Sequence, residues 1–312
     1  MTRELTNSMR NKFASCHRAF KFCYEDLKRP IKTSDALNFG TAMHSMLEAY
    51  WQGKIPTTPN MEDNYSSMTL LALFDGYKKR WEESDKATYE TIGTEMRFDA
   101  PLMNPETGGV SKTFHLSGKI DALAKEKATG KVVIVEHKTT SQDIGPGSDY
   151  WRKLPIDGQV SGYYCGAEAL GHEASTCLYD VIRKPTIKPY KATPEEKRKY
   201  NKDGSLSKAC REFDETPDEW YGRLSADIAS RPDYYFARIE ISRSDNDLLE
   251  YLFDMWAVSR EIADAERMNR WSRNSQACSV YGTCEYFGVC TGESNLDDVT
   301  LFRKAEKVNE EL

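Results

Sequence analysis

Apolar positions change period several times along the chain. Residues 35–53, DALNFGTAMHSMLEAYWQG, carry them at helical spacing, with Asp35 as the candidate cap and Gly53 just past the end. A second helical stretch covers about 61–83. Strand patterns then take over near 94–100, 113–124 and 131–138, rich in β-branched and aromatic residues and separated by Gly-containing turns. The run KVVIVEHK is nearly all apolar before its polar end, which predicts a strand buried on both faces. DGQVSGYYCGAEALG follows as a helix capped by Asp157, with Gly171 beyond its last turn. Further strands are expected at about 176–183 and 234–241, separated by a long polar excursion. Within it, TPEE at 193 and TPDE at 216 each offer a Thr cap, Pro at the first helical position and Glu three residues on. A long helix from Ser244 to about Asn269 precedes the last segment.

This order predicts an α/β fold with a central mixed sheet flanked by helices. One domain over 1–312 is expected, with a helical part at 1–93, a core at 94–182, a basic polar insertion at 183–233 and a final strand, helix and cysteine-bearing segment at 234–312.

Hydrophobic residues at 39%, with 17 Tyr and 12 Phe, can supply a core and argue against general disorder. The opening MTRELTNSMRNKFASC has no apolar run, and no stretch approaches the ~18 apolar residues of a membrane helix. The expectation is a cytoplasmic protein that makes no membrane contact. A net charge of −6 gives no global attraction to a polyanion, so any phosphate contact must come from local patches. One such patch exists. From Arg183 to Arg211 there are ten Lys/Arg against three Asp/Glu, interleaved with tyrosines. Arg183, Lys184, Lys188, Lys197, Arg198 and Lys199 are its candidate phosphate contacts, by charge attraction and base stacking. A solvated linker is the equal alternative.

Two carboxylates and a lysine carry the candidate chemistry. Asp121 lies in LSGKIDAL, and Glu136 and Lys138 lie in VIVEHKTT. Alternation puts Glu136 and Lys138 on one face of a strand and His137 on the other. Paired carboxylates at the end of an apolar strand are costly unless a cation neutralises them, and Mg²⁺ or Mn²⁺ does so with oxygen ligands. Such an ion activates water and stabilises charge on a phosphate, and a lysine beside it adds a positive charge and a proton donor.

The eight cysteines stand at 16, 23, 165, 177, 210, 278, 284 and 290, so only the last three cluster, in CSVYGTCEYFGVC. Reduced cytosolic thiols do not form a disulfide framework, which leaves metal binding as the natural reading.

Taken together these motifs resemble the PD-(D/E)XK nucleases. Gly118 and Asp121 match the G-x-x-D of the second core strand, and Glu136 and Lys138 match E-x-K on the third. Gln159 and Tyr163 match the Q-x-x-x-Y helix of the RecB-like branch, and Gly40 and His44 match its G-x-x-x-H helix. The resemblance implies that His44 joins Asp121 and Glu136 as a metal ligand, and that Gln159 and Tyr163 face the active site. Glu95, in GTEMRFDA, is either a further carboxylate or a solvated strand-end residue.

Iron–sulfur members of that branch, of the AddB and CRISPR adaptation nuclease type, take one cysteine from the N-terminal region and three from the C-terminal one. By resemblance Cys16, Cys278, Cys284 and Cys290 would hold a [4Fe–4S] cluster that staples the helical chain ends together, with Cys23 competing for the first place. The five-residue spacing between Cys278 and Cys284 departs from the commoner two-residue form, and a Zn²⁺ site uses the same four thiolates.

The implied activity is metal-assisted hydrolysis of DNA phosphodiesters by an exonuclease acting at ends in recombination or repair, as in phage recombination exonucleases. Its setting would be a bacterium or a phage-infected host. No Walker-type G-x-x-x-x-G-K-[ST] is present, so a helicase or recombinase would be a separate partner. Two rival readings are a DNA-binding or recruitment module that does not cut, and a metal- or redox-sensing protein built on the cysteines.

Overall fold

The computed structural model describes residues 2–32, 35–57, 61, 63–280, 282–310 and 312. In chain order the elements are β1 (Arg3–Leu5), α1 (Asn7–Ser15), α2 (His17–Phe20), β2 (Lys28–Pro30), α3 (Asp35–Trp51), α4 (Asn64–Thr88), β3 (Tyr89–Met103), β4 (Val110–Glu126) and β5 (Val132–Thr140). Then come α5 (Asp149–Arg152), α6 (Gly158–Ala169), β6 (Ala174–Arg183), α7 (Pro217–Ser230), α8 (Pro232–Tyr235), β7 (Phe236–Ile241), α9 (Asp245–Met268), α10 (Phe287–Thr291) and β8 (Phe302–Lys304).

One six-stranded mixed sheet carries the fold. β3 and β4 form a long antiparallel hairpin, β5 pairs antiparallel with β4, β6 runs parallel to β5, and β7 closes the far edge antiparallel to β6. β4 forks along its other side. Residues 122–125 pair with β5, residues 114–116 pair in parallel with β1, and 117–121 between them pair with neither. That gap is where the site forms.

The sheet is covered on both faces. On one, Ile120, Leu123 and Ile134 pack against Val160, Tyr163 and Tyr164 of α6. On the other, Ala122, Ala124 and Val135 lie under Trp51 of α3, and α3, α4 and α7 build an apolar cluster around Met43, Leu73 and Trp220. Nearly every residue of β5 before Lys138 is buried, as its continuous apolar run requires.

Caps fall where the sequence places them. Asp157 accepts from Gln159 N at 2.8 Å, and Thr216 and Ser244 each form a capping box. Gly53, Gly171 and Asn269 take left-handed backbone past their helices. The side chain of Asp35 lies outside the described residues.

Three differences have physical reasons. The Thr193 signature yields only a three-residue turn at Glu195–Lys197, because KRKYNK offers no apolar stripe to bury. The segment before residue 94 is not only helical: it holds β1 and β2, and β3 begins at Tyr89. The chain ends also meet by backbone pairing of β2 with β8 and by an apolar cluster containing Phe13, Phe20, Trp271, Tyr286 and Phe302.

Candidate active site and cysteine cavity

A groove of about 730 Å³ opens at the fork of β4. His44, Glu95, Asp121, Lys138, Gln159 and Tyr163 all line it, and Glu136 lies buried beneath at 1% exposure. Asp121 is pinned at the point where β4 and β5 separate, its Oδ2 accepting from the backbone N–H of His137 at 2.9 Å. The same oxygen lies 3.4 Å from His44 Nδ1. α3 runs close to β5 at Gly40, where a Cβ would reach ordinary contact with Thr139 Oγ1 at 3.4 Å, and one turn later the helix presents His44.

Glu136 and Lys138 share a face of β5, and their side chains form an ion pair. Lys138 Nζ also donates to Gln159 Oε1 at 2.7 Å, and Gln159 Nε2 donates to the Tyr163 hydroxyl at 2.7 Å. One polar chain thus runs from strand to helix.

Gly118 and Gly166 explain how α6 comes so close. A Cβ on either would lie about 2.5 Å or less from the Phe98 ring, which occupies the space between β4 and α6. Gly162 likewise makes room for the Tyr251 hydroxyl. The glycine of G-x-x-D therefore serves packing beside the aspartate.

Electrostatics set the two carboxylates apart. Burial and the neighbouring Asp121 push Glu136 up to about 7, against the partial relief of Lys138. Burial also acts to raise Asp121, but the hydrogen bond and charge of His44 outweigh it and hold that carboxyl well below the ordinary range. Burial opposes the charged form of Lys138, yet Glu136 and Asp121 more than offset this and keep it cationic. Apart from the Lys138 ion pair, neither Glu136 oxygen has a hydrogen-bond donor among the described residues. A buried carboxylate left this way is costly, and a cation between it and Asp121 would satisfy both. The donor set is hard oxygen with one imidazole, which fits Mg²⁺ or Mn²⁺. Among the described residues no three His, Cys, Asp or Glu side chains form a ready-made cage, in this groove or among the cysteines; in the groove Lys138 and His44 stand beside the carboxylates as counter-charges.

Glu95 is a mid-strand residue rather than a strand-end one, and its carboxylate pairs with Lys119. It has a left-handed backbone at φ 49°, a conformation costing a non-glycine residue roughly 1–2 kcal/mol.

Behind β5 lies a buried polar network that motif reading does not reveal. His137 Nδ1 stands 3.3 Å from Asp180 Oδ2, Tyr77 donates to the same oxygen at 2.5 Å, and Arg238 bridges Asp180 at 3.1 Å to Asp85 at 2.5 Å. Alternation places His137 on that face, but its partners come from β6, β7 and α4.

The cysteines divide cleanly. Cys16, Cys278, Cys284 and Cys290 line one cavity of about 520 Å³, and Cys23 does not. Cys16 occupies the extended break between α1 and α2, which turns it toward the 272–290 segment. Cys284 N donates to Cys278 O at 2.9 Å, closing the loop between those two. Burial pushes the thiols of Cys284 and Cys290 up. Cys23 is buried in the apolar cluster, with Arg29 Nη1 donating to its sulfur at 2.6 Å.

The basic excursion is tied down rather than loose. Arg183 pairs with Asp143 at 2.8 Å and stacks on Tyr234, Lys184 lies 4.6 Å over the Phe39 ring, and Arg198 donates to the carbonyls of Thr193 and Glu212. Lys188, Lys197 and Lys199 are exposed, with no ion-pair partner among the described residues. No helix among the described residues is long and apolar enough to cross a membrane.

Fold and groove define a nuclease-type α/β protein, and the sequence agrees. The family model of the PD-(D/E)XK nuclease superfamily matches residues 4–291, and the chain belongs to that superfamily. The match takes in both the carboxylate motifs and the three C-terminal cysteines. Among solved structures, a "Putative exonuclease" from Eubacterium rectale is similar at 12% identity and a TM-score of 0.50, covering 99% of this chain and 92% of that one. At that identity the likeness speaks for the fold alone. A second solved structure, SSO0001, is 14% identical over 90% of this chain and 86% of that one, with a TM-score of 0.35, and carries no argument. No match is found among curated proteins.

Proposed function

We propose that this protein is a metal-dependent DNA nuclease that hydrolyses phosphodiesters from DNA ends, as an exonuclease of recombination or repair. The observation that carries the reading is Glu136, fully buried beside Asp121 at the fork of the sheet with Lys138 as its counter-charge. Asp121, Glu136 and His44 would hold Mg²⁺ or Mn²⁺, which when bound supplies charge neutralisation and an activated water. Lys138 stays protonated and so acts as a cation and donor, orienting the attacking water and steadying charge on the phosphate. Gln159 fixes Lys138 through its carbonyl, and Tyr163 fixes Gln159 in turn. No covalent enzyme intermediate is needed. The catalytic core spans 94–182 of a single domain, and the basic insertion at 183–233 begins beside the groove, where Lys184 N donates to Thr140 O. Lys188, Lys197 and Lys199 are its free phosphate contacts, and a helicase or recombinase would act as a separate partner.

The cysteine cavity is read as a [4Fe–4S] site held by Cys16, Cys278, Cys284 and Cys290. That Cys16, Cys278, Cys284 and Cys290 all line one cavity supports a four-thiolate centre that would close around its metal, and the resemblance favours iron over zinc. Hydrolysis needs no electron transfer, so the cluster acts as a staple.

The reading is tested by incubating the protein with end-labelled linear and with circular DNA, single- and double-stranded, with and without Mn²⁺. Mn²⁺-dependent release of end products from linear DNA alone is expected. Cutting of circles would make it an endonuclease. DNA binding without any cutting would favour the recruitment module.

A further inference from the structure

Four carboxylates, Glu48, Glu95, Asp121 and Glu310, line the groove above buried Glu136, and a polyanionic strand entering it meets their repulsion. A divalent ion at Asp121 and Glu136 offsets that only at the reacting phosphate. Among the lining residues the positive groups are His44, Lys138 and Lys119; His44 is already engaged by Asp121, and Lys138 by Glu136 and Gln159. Lys119 sits on β4 two residues before Asp121, hence on the same face and roughly 7 Å along the strand. That separation is comparable to the distance between neighbouring phosphates of one nucleic-acid strand. Lys119 also lies in the stretch of β4 that pairs with neither β1 nor β5, so its flank toward the groove is open.

Its present partner is unusual. Glu95 lies opposite Asp121 in the β3–β4 register, between the pairs Thr94–Ala122 and Met96–Ile120, and has a left-handed backbone. Strain of this kind persists where surroundings fix it and concentrates at functional sites. Here it places a carboxylate on the ammonium of Lys119.

We propose that Lys119 is a positioning residue that binds the phosphate next to the scissile one, with Glu95 as its counter-ion in the empty groove. This rests on the nuclease reading above. Substrate exchanges the Glu95 carboxylate for a phosphate oxygen on Lys119, while the ligands of the divalent ion stay as they are.

The test uses Lys119→Gln, Lys119→Arg and Glu95→Gln in the full chain, on one DNA oligonucleotide with Mn²⁺ across a salt series. Lys119→Gln is expected to raise KM about tenfold and to reduce the log–log salt slope by roughly one. Its kcat should stay within about threefold of wild type, and Lys119→Arg should restore KM. Glu95→Gln should leave the Mn²⁺ half-saturation unchanged and KM equal or lower. An unchanged KM and salt slope in Lys119→Gln overturns the proposal. So does a Glu95→Gln variant that loses kcat and needs more Mn²⁺, which would make Glu95 a metal ligand. If wild type binds DNA without cutting it, the nuclease reading fails on its own, and the dissociation constants and salt slopes still decide Lys119. If wild type neither binds nor cuts, both fall.

Discussion

The acidic groove and the cysteine cavity stand at opposite ends of one helix and are built by different means. Thr6, Asn7 and Ser8 at the start of α1 line the groove, while Lys12, Ser15 and the following Cys16 line the cavity. Sheet register fixes the groove: β4 and β5 place the carboxylates, the Asp157 cap and small residues seat α6, and His44 and Lys138 already stand as counter-charges. The cavity instead draws its sulfurs from both ends of the chain, and burial favours protonated thiols at Cys284 and Cys290. The groove can therefore keep its shape without an ion, whereas on the proposed reading the cavity would gain much of its order from the metal that displaces those protons. Apolar packing tempers this. Phe20 stacks on Trp271 at 6.0 Å, Tyr286 stacks on Phe302 at 5.6 Å, and β2 pairs with β8. Losing the metal should loosen the chain ends rather than release them.

The largest separable effect is expected from Lys138→Ala. Cleavage should fall on the order of 10³-fold, while calorimetry shows divalent-ion binding retained. A parallel loss of ion affinity would make the lysine a structural prop.

Next come the thiols. Protein purified without oxygen should be brown and carry iron. Changing Cys16, Cys278, Cys284 or Cys290 to Ser should bleach it and lower Tm by roughly 5–10 °C. Cys23→Ser should leave the colour, because that sulfur lies outside the cavity. Colourless, zinc-loaded protein would replace the cluster with a zinc staple.

A pH series separates the regions further. Burial and the neighbouring Asp121 push Glu136 up to about 7 in the folded protein, from an ordinary 4.5. The folded state thus holds this proton more tightly than the unfolded one. The stability it confers is full below the ordinary value and is lost as pH rises through about 7. A divalent ion competes for the same site, so its affinity should climb about tenfold per pH unit below about 7 and level off above. Ion binding that ignores pH in this window would remove Glu136 from the ligand set.

The smallest effect belongs to the excursion. Lys197→Gln with Lys199→Gln should flatten the salt dependence of DNA binding by roughly two slope units. Arg198→Gln should instead loosen the lobe, since its guanidinium is spent on the Thr193 and Glu212 carbonyls. An unchanged slope in the lysine variant favours the solvated linker.

Much of this was legible where a period or a cap is long enough to read. The continuous apolar run of KVVIVEHK and the Asp157 and Gly171 punctuation of α6 locate β5 and its neighbouring helix to within a few residues. β1, β2 and β8 were not legible, because three residues are too few to show a period. The left-handed turn at Glu95 carries no glycine to announce it. The His137–Asp180–Arg238–Asp85 network joins four elements, and nothing local names its partners. The Thr193 signature misleads because a cap without an apolar stripe stabilises only a single turn.

The most direct test of the metal-dependent nuclease is cleavage of end-labelled DNA in Mn²⁺ by Asp121→Ala and by Glu136→Ala, with DNA binding and thermal stability measured alongside. Each variant loses an ion ligand and relieves repulsion between two buried carboxylates. Cleavage should vanish while DNA binding persists; stability should stay equal or rise in Glu136→Ala and fall in Asp121→Ala, which leaves the His137 N–H without its acceptor. Near wild-type cleavage by both variants would contradict the account.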